Sequence, residues 1–232
     1  NISAYAGRND FAGYFNDKKG KNYIEQPQDN NVKYRGYDWM PKLQYNFNTL
    51  FNYAKANTQI SYRFEYFNEL VNTYNPSLND NILKTTLDRD YFTNRFINQL
   101  NVTGQLLKKL PFQFDISYQS QKRDYQEYIY YLYTHVEDRQ DLKTYQSQKS
   151  WYSKGTLNQN FTNPKWQMQW GFETNWDKGF GSAIAGEIAN TGDLSTSKEL
   201  GSFDIFNSVE YKPNARILLR PGIRYSFQNL LD

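Results

Sequence analysis

The sequence predicts an all-β protein, specifically the wall of an antiparallel transmembrane β-barrel with about nine strands, and three observations support this. Apolar and polar residues alternate over stretches longer than the roughly five or six residues usual for a soluble strand. The links between these stretches alternate between long and short along the chain. No stretch has a helical period long enough to supply a second layer, which disfavours the α/β and α+β classes.

The clearest predicted strand runs from Lys165 to Trp176, where alternate positions are large and apolar and the positions between them are mostly polar. A tilted strand crosses a bilayer with roughly 9–11 residues, so this stretch is long enough. A second such stretch begins at Phe112. The side chains expected to face lipid are Phe112, Phe114, Ile116, Tyr118, Trp166, Met168, Trp170 and Phe172. The core of a soluble sandwich would show the same alternation, so that alternative stays open.

The remaining strands follow in chain order, each bounded by a turn or a polar loop. The nine predicted strands cover residues 1–8, 37–50, 58–70, 91–107, 112–124, 150–162, 166–176, 200–212 and 215–229. Pro41 is out of place inside the second strand, because proline cannot donate to the hydrogen-bond ladder. Residues 125–149 form the longest predicted insertion, and its tyrosines are expected to extend a hairpin beyond the membrane.

Composition narrows the function classes. Aromatic residues make up 18% of the 232 residues, yet the mean hydropathy is −0.89 and no apolar run approaches the roughly 20 residues of a transmembrane helix. A barrel is compatible with this hydropathy, since only alternate residues of its strands face lipid. The net charge is +3 with interspersed signs, which gives no indication of nucleic-acid binding. Cysteine is absent, which excludes disulfides and thiolate catalysis.

The polar positions of the predicted strands carry charges that we expect to face the lumen of the barrel. These are Arg63, Glu65, Asp115, Glu173, Arg220 and Arg224. They could line a solute path or hold a plug, and bracing of a wet interior is the commoner role. Trp and Tyr near strand ends fit the belt of amphipathic rings found at membrane interfaces. The candidates for this belt are Trp39, Trp151, Tyr152 and Trp176.

No catalytic or metal site is predicted. His135, Glu137, Asp138 and Asp141 lie close together in sequence, but they lack the ordered spacing of a calcium loop and are mixed with basic residues. A solvated charged loop is the better interpretation. The sequence shows no convincing pair of catalytic carboxylates, no nucleophile elbow and no phosphate-binding loop. We therefore expect neither an enzyme nor a cofactor.

The C-terminal hairpin carries the most specific pattern. An aromatic strand ends at Lys212 and Pro213, and the return strand carries Arg220, Pro221, Gly222, Arg224 and Tyr225. This hairpin resembles that of TonB-dependent outer-membrane receptors. The long loops and the use of Asn, Lys and Tyr resemble the SusC-like branch of that family. The resemblance implies uptake of a glycan, peptide or siderophore through a plugged barrel in the bacterial outer membrane, with membrane lipid, the TonB complex and a SusD-like surface lipoprotein as partners.

The resemblance also implies that residues 1–232 are part of one larger barrel domain, because such receptors close with 22 strands around a plug. No motif of the plug or of the TonB-binding segment is found, and Leu230, Leu231 and Asp232 lack the terminal aromatic residue that resembles the insertion signal of these barrels. Two alternatives stay open. One is a passive porin or secretion-channel barrel without a plug, and the other is a soluble extracellular β-sheet binding module.

Overall fold

A computed structural model describes residues 1–15, 18–25, 35–78, 83–106, 110–181 and 197–231. Within these ranges the protein is all-β and contains no helix, which confirms the predicted class. The eleven strands described form one antiparallel sheet. They are β1 (Ile2–Phe11), β2 (Lys42–Lys55), β3 (Thr58–Thr73), β4 (Thr85–Leu106), β5 (Leu110–Tyr131), β6 (Val136–Arg139), β7 (Lys143–Asn160), β8 (Trp166–Gly181), β9 (Ser197–Asn214), β10 (Ile217–Leu219) and β11 (Gly222–Leu231).

Each of the nine predicted stretches coincides with a strand, but the count differs for two reasons. The short strand β6 pairs with the end of β5 and was missed, because four residues are too few to show a period. The last predicted strand is divided into β10 and β11 at Pro221, which has no N–H to donate to β9. The Pro221 carbonyl still accepts a hydrogen bond from the Val209 N–H at 3.0 Å.

Several strand bounds also differ from the prediction. β2 begins at Lys42, directly after Pro41, so the proline precedes the strand and removes no donor from its ladder. β4 begins at Thr85, six residues before the predicted start. β5 extends to Tyr131, pairing with β7 as far as Lys143 and with β6 over Tyr128–Tyr131, so the tyrosine-rich stretch continues the hairpin. Its position beyond the membrane stays a prediction.

The sheet is open, and its order is β1-β2-β3-β4-β5-β7-β8-β9, with β10 and β11 both pairing with β9. Successive main strands are antiparallel neighbours, so their connections fall alternately at the two ends of the sheet. The short connections span 56–57, 107–109, 161–165 and 215–216, and the long connections span 12–41, 74–84, 132–142 and 182–196. The longest is therefore 12–41, contrary to the prediction. The predicted turn at Lys108–Lys109, the Asn79–Asn81 cluster and most of the 179–198 loop lie outside the described residues.

All eight side chains predicted to face lipid share one face of the sheet, which we call the apolar face. The register places Phe112 opposite Leu157 and Leu157 opposite Trp170. It places Phe114 and Phe172 on either side of Gly155. Direct partners in antiparallel strands point to the same side, so the face continues across the sheet. Its other members include Phe51, Tyr62, Phe64, Leu100, Val102, Phe203, Ile205, Tyr225 and Phe227.

Glycine lets large rings lie flat against this sheet. The rings of Phe114 and Phe172 approach to 6.4 Å between centroids over Gly155, on the strand between them. A Cβ at Gly155 would overlap the Phe172 ring, and a Cβ at Gly104 would lie 2.8 Å from the ring of Phe112. The absence of a side chain at these positions therefore makes room for the neighbouring aromatic ring.

No second layer covers the apolar face within the described ranges, where each strand contacts only the strands beside it. Trp170 is 46% exposed and Ile223 is 73% exposed. The buried apolar side chains among the described residues are instead Tyr128, Tyr130 and Leu132, near the long connections. The sheet itself thus has no protein core of its own.

Candidate functional site

The second face of the sheet, which we call the polar face, carries most of the charged groups of the strands. Asp115 on β5, Lys154 on β7, Glu173 on β8 and Asp204 on β9 are successive direct partners in the register. Since direct partners point to the same side, these four residues form a charged row across four strands. The opposite side of the sheet at the same level carries the rings of Phe114 and Phe172.

The six charged residues predicted to face a lumen fall on or beside the polar face. Arg63, Glu65, Asp115, Glu173 and Arg224 occupy its positions in the register. Arg220 lies between β10 and β11, and its Nε is 4.0 Å from the Glu210 carboxylate on the polar face. Whether this face lines a lumen stays a prediction. Sequence reasoning missed Lys154 and Asp204, although both lie on the polar parity of predicted strands.

The charged groups are tied to one another across strands. Arg224 on β11 donates to Asp204 at 2.5 Å and lies 3.5 Å from the carboxylate of Glu173, two strands away. Asp115 accepts hydrogen bonds from the Asn101 amide at 2.5 Å and the Gln113 amide at 2.8 Å. Arg63 pairs with Glu65 on its own strand. These contacts favour the bracing role, because they satisfy the charges inside the sheet.

An open pocket of about 510 Å³ lies on the polar face beside the charged row. Its lining side chains come from four central strands and β2. They include Leu50, Ser61, Arg63, Gln99, Asn101, Asp115, Ser117 and Tyr152. This pocket corrects the assignment of Tyr152, which points to the polar face and not into a belt on the apolar face. Hydroxyl, amide and charged groups on one concave surface can bind a polar solute.

Aromatic rings do form a row on the apolar face. Trp151 is directly opposite Trp176, and the Tyr118 ring lies 6.4 Å from Trp151 and 6.0 Å from Phe96. Beyond this row the same face becomes charged, with Lys149 opposite Lys178. Trp39 is outside the row: it lies in the connection before β2 and is 71% exposed.

A second cluster lies at the end of the sheet with the long connections, and we call it the loop core. Arg35 forms a bidentate ion pair with Asp88 at 2.5 and 2.7 Å. The Arg35 guanidinium also lies 5.5 Å from the Tyr74 ring and 5.3 Å from the Tyr130 ring. The register places Asp88 and Tyr130 on the same side of the sheet as the apolar face. No sequence signal identified Arg35, because it stands in a polar stretch without a period.

The region considered as a metal site is an ion-pair network. Glu137 accepts from Lys21 at 2.9 Å and from Arg139 at 2.7 Å, and Arg139 also donates to Asp90 at 2.9 Å. Partial burial favours a higher pKa for Glu137, but the hydrogen bonds from Lys21 and Arg139 outweigh it and lower its pKa below the ordinary value. Within the described ranges, no three His, Asp or Glu side chains are grouped closely enough to hold a metal ion.

The fold and these sites together define the protein as a single-layer antiparallel sheet with one apolar and one polar face. Comparisons with protein-family models, with curated proteins and with solved structures found no match. No helix in the described part of the chain has the length and apolar character needed to cross a bilayer.

Proposed function

We propose that this chain forms part of the wall of an outer-membrane transport barrel of the TonB-dependent receptor type. The apolar face would contact lipid, and the polar face would line a lumen through which a nutrient passes. The observation that carries the proposal is the uncovered apolar face, which continues from β1 to β11 on one side of the sheet. The resemblance of the C-terminal hairpin supplies the choice of receptor family.

Exposure of such a face to water would be costly. Burying one large apolar side chain contributes roughly 1.5–3 kcal/mol, and soluble monomers rarely expose contiguous apolar patches above about 300–600 Å². In a barrel, lipid takes the place of the missing second layer. The aromatic row from Phe96 to Trp176 also fits the ring of interfacial side chains that borders the lipid-facing band of such proteins.

The sorted connections support the same proposal. Bacterial outer-membrane barrels have short turns on the periplasmic side and long loops outside. The connection 56–57 would be periplasmic in this arrangement, and the connection 12–41 would be extracellular. The edges β1 and β11 would pair with further strands of the same barrel, since a barrel leaves no free edge.

Spin labels on β5 test the proposal. Residues 1–232 contain no cysteine, so each position from Phe112 to Tyr118 can be changed singly to cysteine and labelled after any cysteine elsewhere in the full-length protein is replaced by serine. In the full-length protein in lipid vesicles, oxygen, which concentrates in lipid, should relax labels at Phe114 and Ile116. A water-soluble nickel chelate should relax labels at Gln113, Asp115 and Ser117. If the accessibility of the labels to oxygen and to the chelate did not alternate with a period of two, or if the chelate relaxed every label equally, the lipid-facing assignment would be refuted.

A matched pair of substitutions adds an energetic test. Ile116→Arg places a charge on the apolar face and should reduce the amount of folded protein in the membrane, since arginine at the bilayer midplane costs roughly 2–4 kcal/mol. Ser117→Arg, one residue further on the polar face, should fold normally. If Ser117→Arg reduced the amount of folded protein and Ile116→Arg did not, lipid would contact the polar face and the proposal would be wrong.

The two alternatives make different predictions. A passive pore would admit solute into cells whose TonB complex has been deleted, whereas a TonB-dependent receptor would stop accumulating its nutrient. A plug domain in the same reading frame would also support active transport. A soluble binding module would fold without detergent and would remain in the supernatant after membranes are pelleted.

A further inference from the structure

The polar face carries a second set of aromatic and basic groups at the end with the long connections. Tyr91 and Arg95 on β4, together with Arg123 and Tyr125 on β5, occupy its positions in the register. Tyr145 is the extra residue at an irregularity in the pairing of β5 with β7, and its ring packs edge-on against Tyr91 at 5.9 Å and Tyr125 at 6.3 Å. We call these five residues the arginine–tyrosine cluster.

Two guanidinium groups of this cluster have no carboxylate within ion-pair distance among the described residues, namely those of Arg95 and Arg123. The Arg123 Nε is buried without a hydrogen-bond partner in the same part of the chain. Neighbouring Arg89 differs, since it pairs with Glu127 and donates to the Tyr91 hydroxyl at 3.1 Å. The cluster therefore holds two positive charges that the described protein does not neutralise.

Aromatic rings hold both arginines against the sheet. The Arg123 guanidinium lies 4.6 Å from the Tyr91 ring, and the Arg95 guanidinium lies 5.3 Å from the Phe67 ring. Arg123 is opposite Thr93, and Arg95 is opposite Gln121, so the two arginines are diagonal neighbours on adjacent strands. Stacked guanidinium groups lose less conformational freedom when they bind a carboxylate through two parallel hydrogen bonds.

The shape of the cluster favours one kind of anion. The Tyr145 ring stands at 79° to Tyr91 and at 85° to Tyr125, so no parallel slot is available for a flat nucleobase. Gln121 pairs with Gln148, and Arg123 pairs with Gln146, which places neutral amides beside the charges. Amides both donate and accept hydrogen bonds, as the hydroxyls of a sugar do. Arg95 is exposed and Tyr145 is 37% exposed, so a ligand can reach the cluster.

We propose that the arginine–tyrosine cluster is a binding site for carboxylate-bearing oligosaccharides. The arginines bind the carboxylate, the tyrosines pack against the C–H face of the sugar ring, and the amides bind its hydroxyls. This inference rests on the proposed function, in which the cluster lies at the outer mouth of the lumen. It adds the chemical class of the ligand, because arginines that have no carboxylate partner in the described part of the chain select an acidic sugar over a neutral one.

Calorimetric titration of the purified protein in detergent tests the site with trigalacturonate as the acidic probe and maltotriose as the neutral one. Trigalacturonate should bind at least ten-fold more tightly, and the preference should shrink as salt is added. Arg123→Gln and Arg95→Gln should each weaken trigalacturonate binding about ten-fold without changing maltotriose binding. Arg95 is exposed, so its variant remains decisive if Arg123→Gln fails to fold.

Lys212→Gln is the matched control, because Lys212 lies on the same face, pairs with Glu210 on its own strand and is remote from the cluster. It should leave trigalacturonate affinity within about two-fold. The inference is overturned by equal affinity for both sugars, by no heat of binding, by equal losses in Lys212→Gln and Arg123→Gln, or by tighter binding of triglutamate than of trigalacturonate. The spin-label result on β5 is independent of these titrations, so failure of the ligand assignment and failure of the barrel proposal are distinguishable.

Discussion

Arg35 reaches from the connection after β1 to Asp88 on β4 and forms an ion pair in which both side chains have 0% exposure. The same guanidinium donates to the Asn75 carbonyl at 2.8 Å and also to the carbonyl of Lys21. One side chain thus joins two connections, 12–41 and 74–84, to strand β4. A buried ion pair adds little net stability compared with a well-packed apolar pair, but loss of one partner leaves an uncompensated charge.

Single substitutions in this pair should therefore be severe, and a double substitution should be milder. Arg35→Met or Asp88→Leu alone should destabilise the loop core by about 3–5 kcal/mol, because each substitution leaves a buried charge without its partner. Hydrogen exchange of the amides of residues 84–90 and 126–132 would measure the opening of this region. The Arg35→Met/Asp88→Leu double variant should recover part of the protection. If its loss equals the sum of the two single losses, the pair is not coupled.

Acid should loosen the same region through Glu137. Its pKa is lower in the folded protein than the ordinary value of 4.5, so the stabilisation is complete above pH 4.5 and is lost as the pH falls through the lowered value. The protection factors of the amides of residues 136–139, corrected for the intrinsic pH dependence of exchange, should therefore fall below about pH 4.5. In Glu137→Gln this contribution to the acid-induced change should vanish. An identical pH profile in the variant would assign the transition to other carboxylates.

The glycine under the aromatic rings gives a stability test with an internal control. Gly155→Ala should destabilise the protein by about 1–3 kcal/mol, since its Cβ would displace the Phe172 ring. Gly201→Ala lies on the same face but meets only ordinary contacts, the nearest at 3.9 Å to Trp176. Urea titration of the folded fraction compares the two variants. Equal losses would mean that glycine is needed for the backbone and not for the ring.

Arg224 should hold the edge strand β11 to the sheet. Arg224→Gln removes the contacts with Asp204 and Glu173 and leaves the Asp204 carboxylate without its arginine, which should weaken the attachment of β11. Amides of residues 222–231 should then exchange faster. Arg63→Gln should leave them unchanged, because Arg63 pairs within its own strand. Unaltered exchange in Arg224→Gln would show that backbone pairing alone fixes the edge.

The sequence alone predicted the all-β class, the nine strand segments and the eight residues that share the apolar face. It could do so because side chains alternate between the two faces of a strand with a period of two. The alternation of long and short connections could also be read from the sequence. Antiparallel order then places the long ones at one end of the sheet and the short ones at the other. The division of the last strand at Pro221 was not predicted, and β6 was too short to show a period.

Only the tertiary structure decided what the strands bring together. The charged row joins Asp115 to Asp204, although 88 positions separate them in the numbering, and the pairing register fixes that meeting. Tyr152 directly follows Trp151, so strand parity already puts the two side chains on opposite faces, and the pairing with Ser117 and Asn175 shows that Tyr152 is on the polar one. The burial of Arg35 with Asp88 left no trace in the sequence, because a contact between a polar loop and a distant strand has no local period. A single strand records which of its side chains share a face, but only the folded chain determines which distant residues meet there.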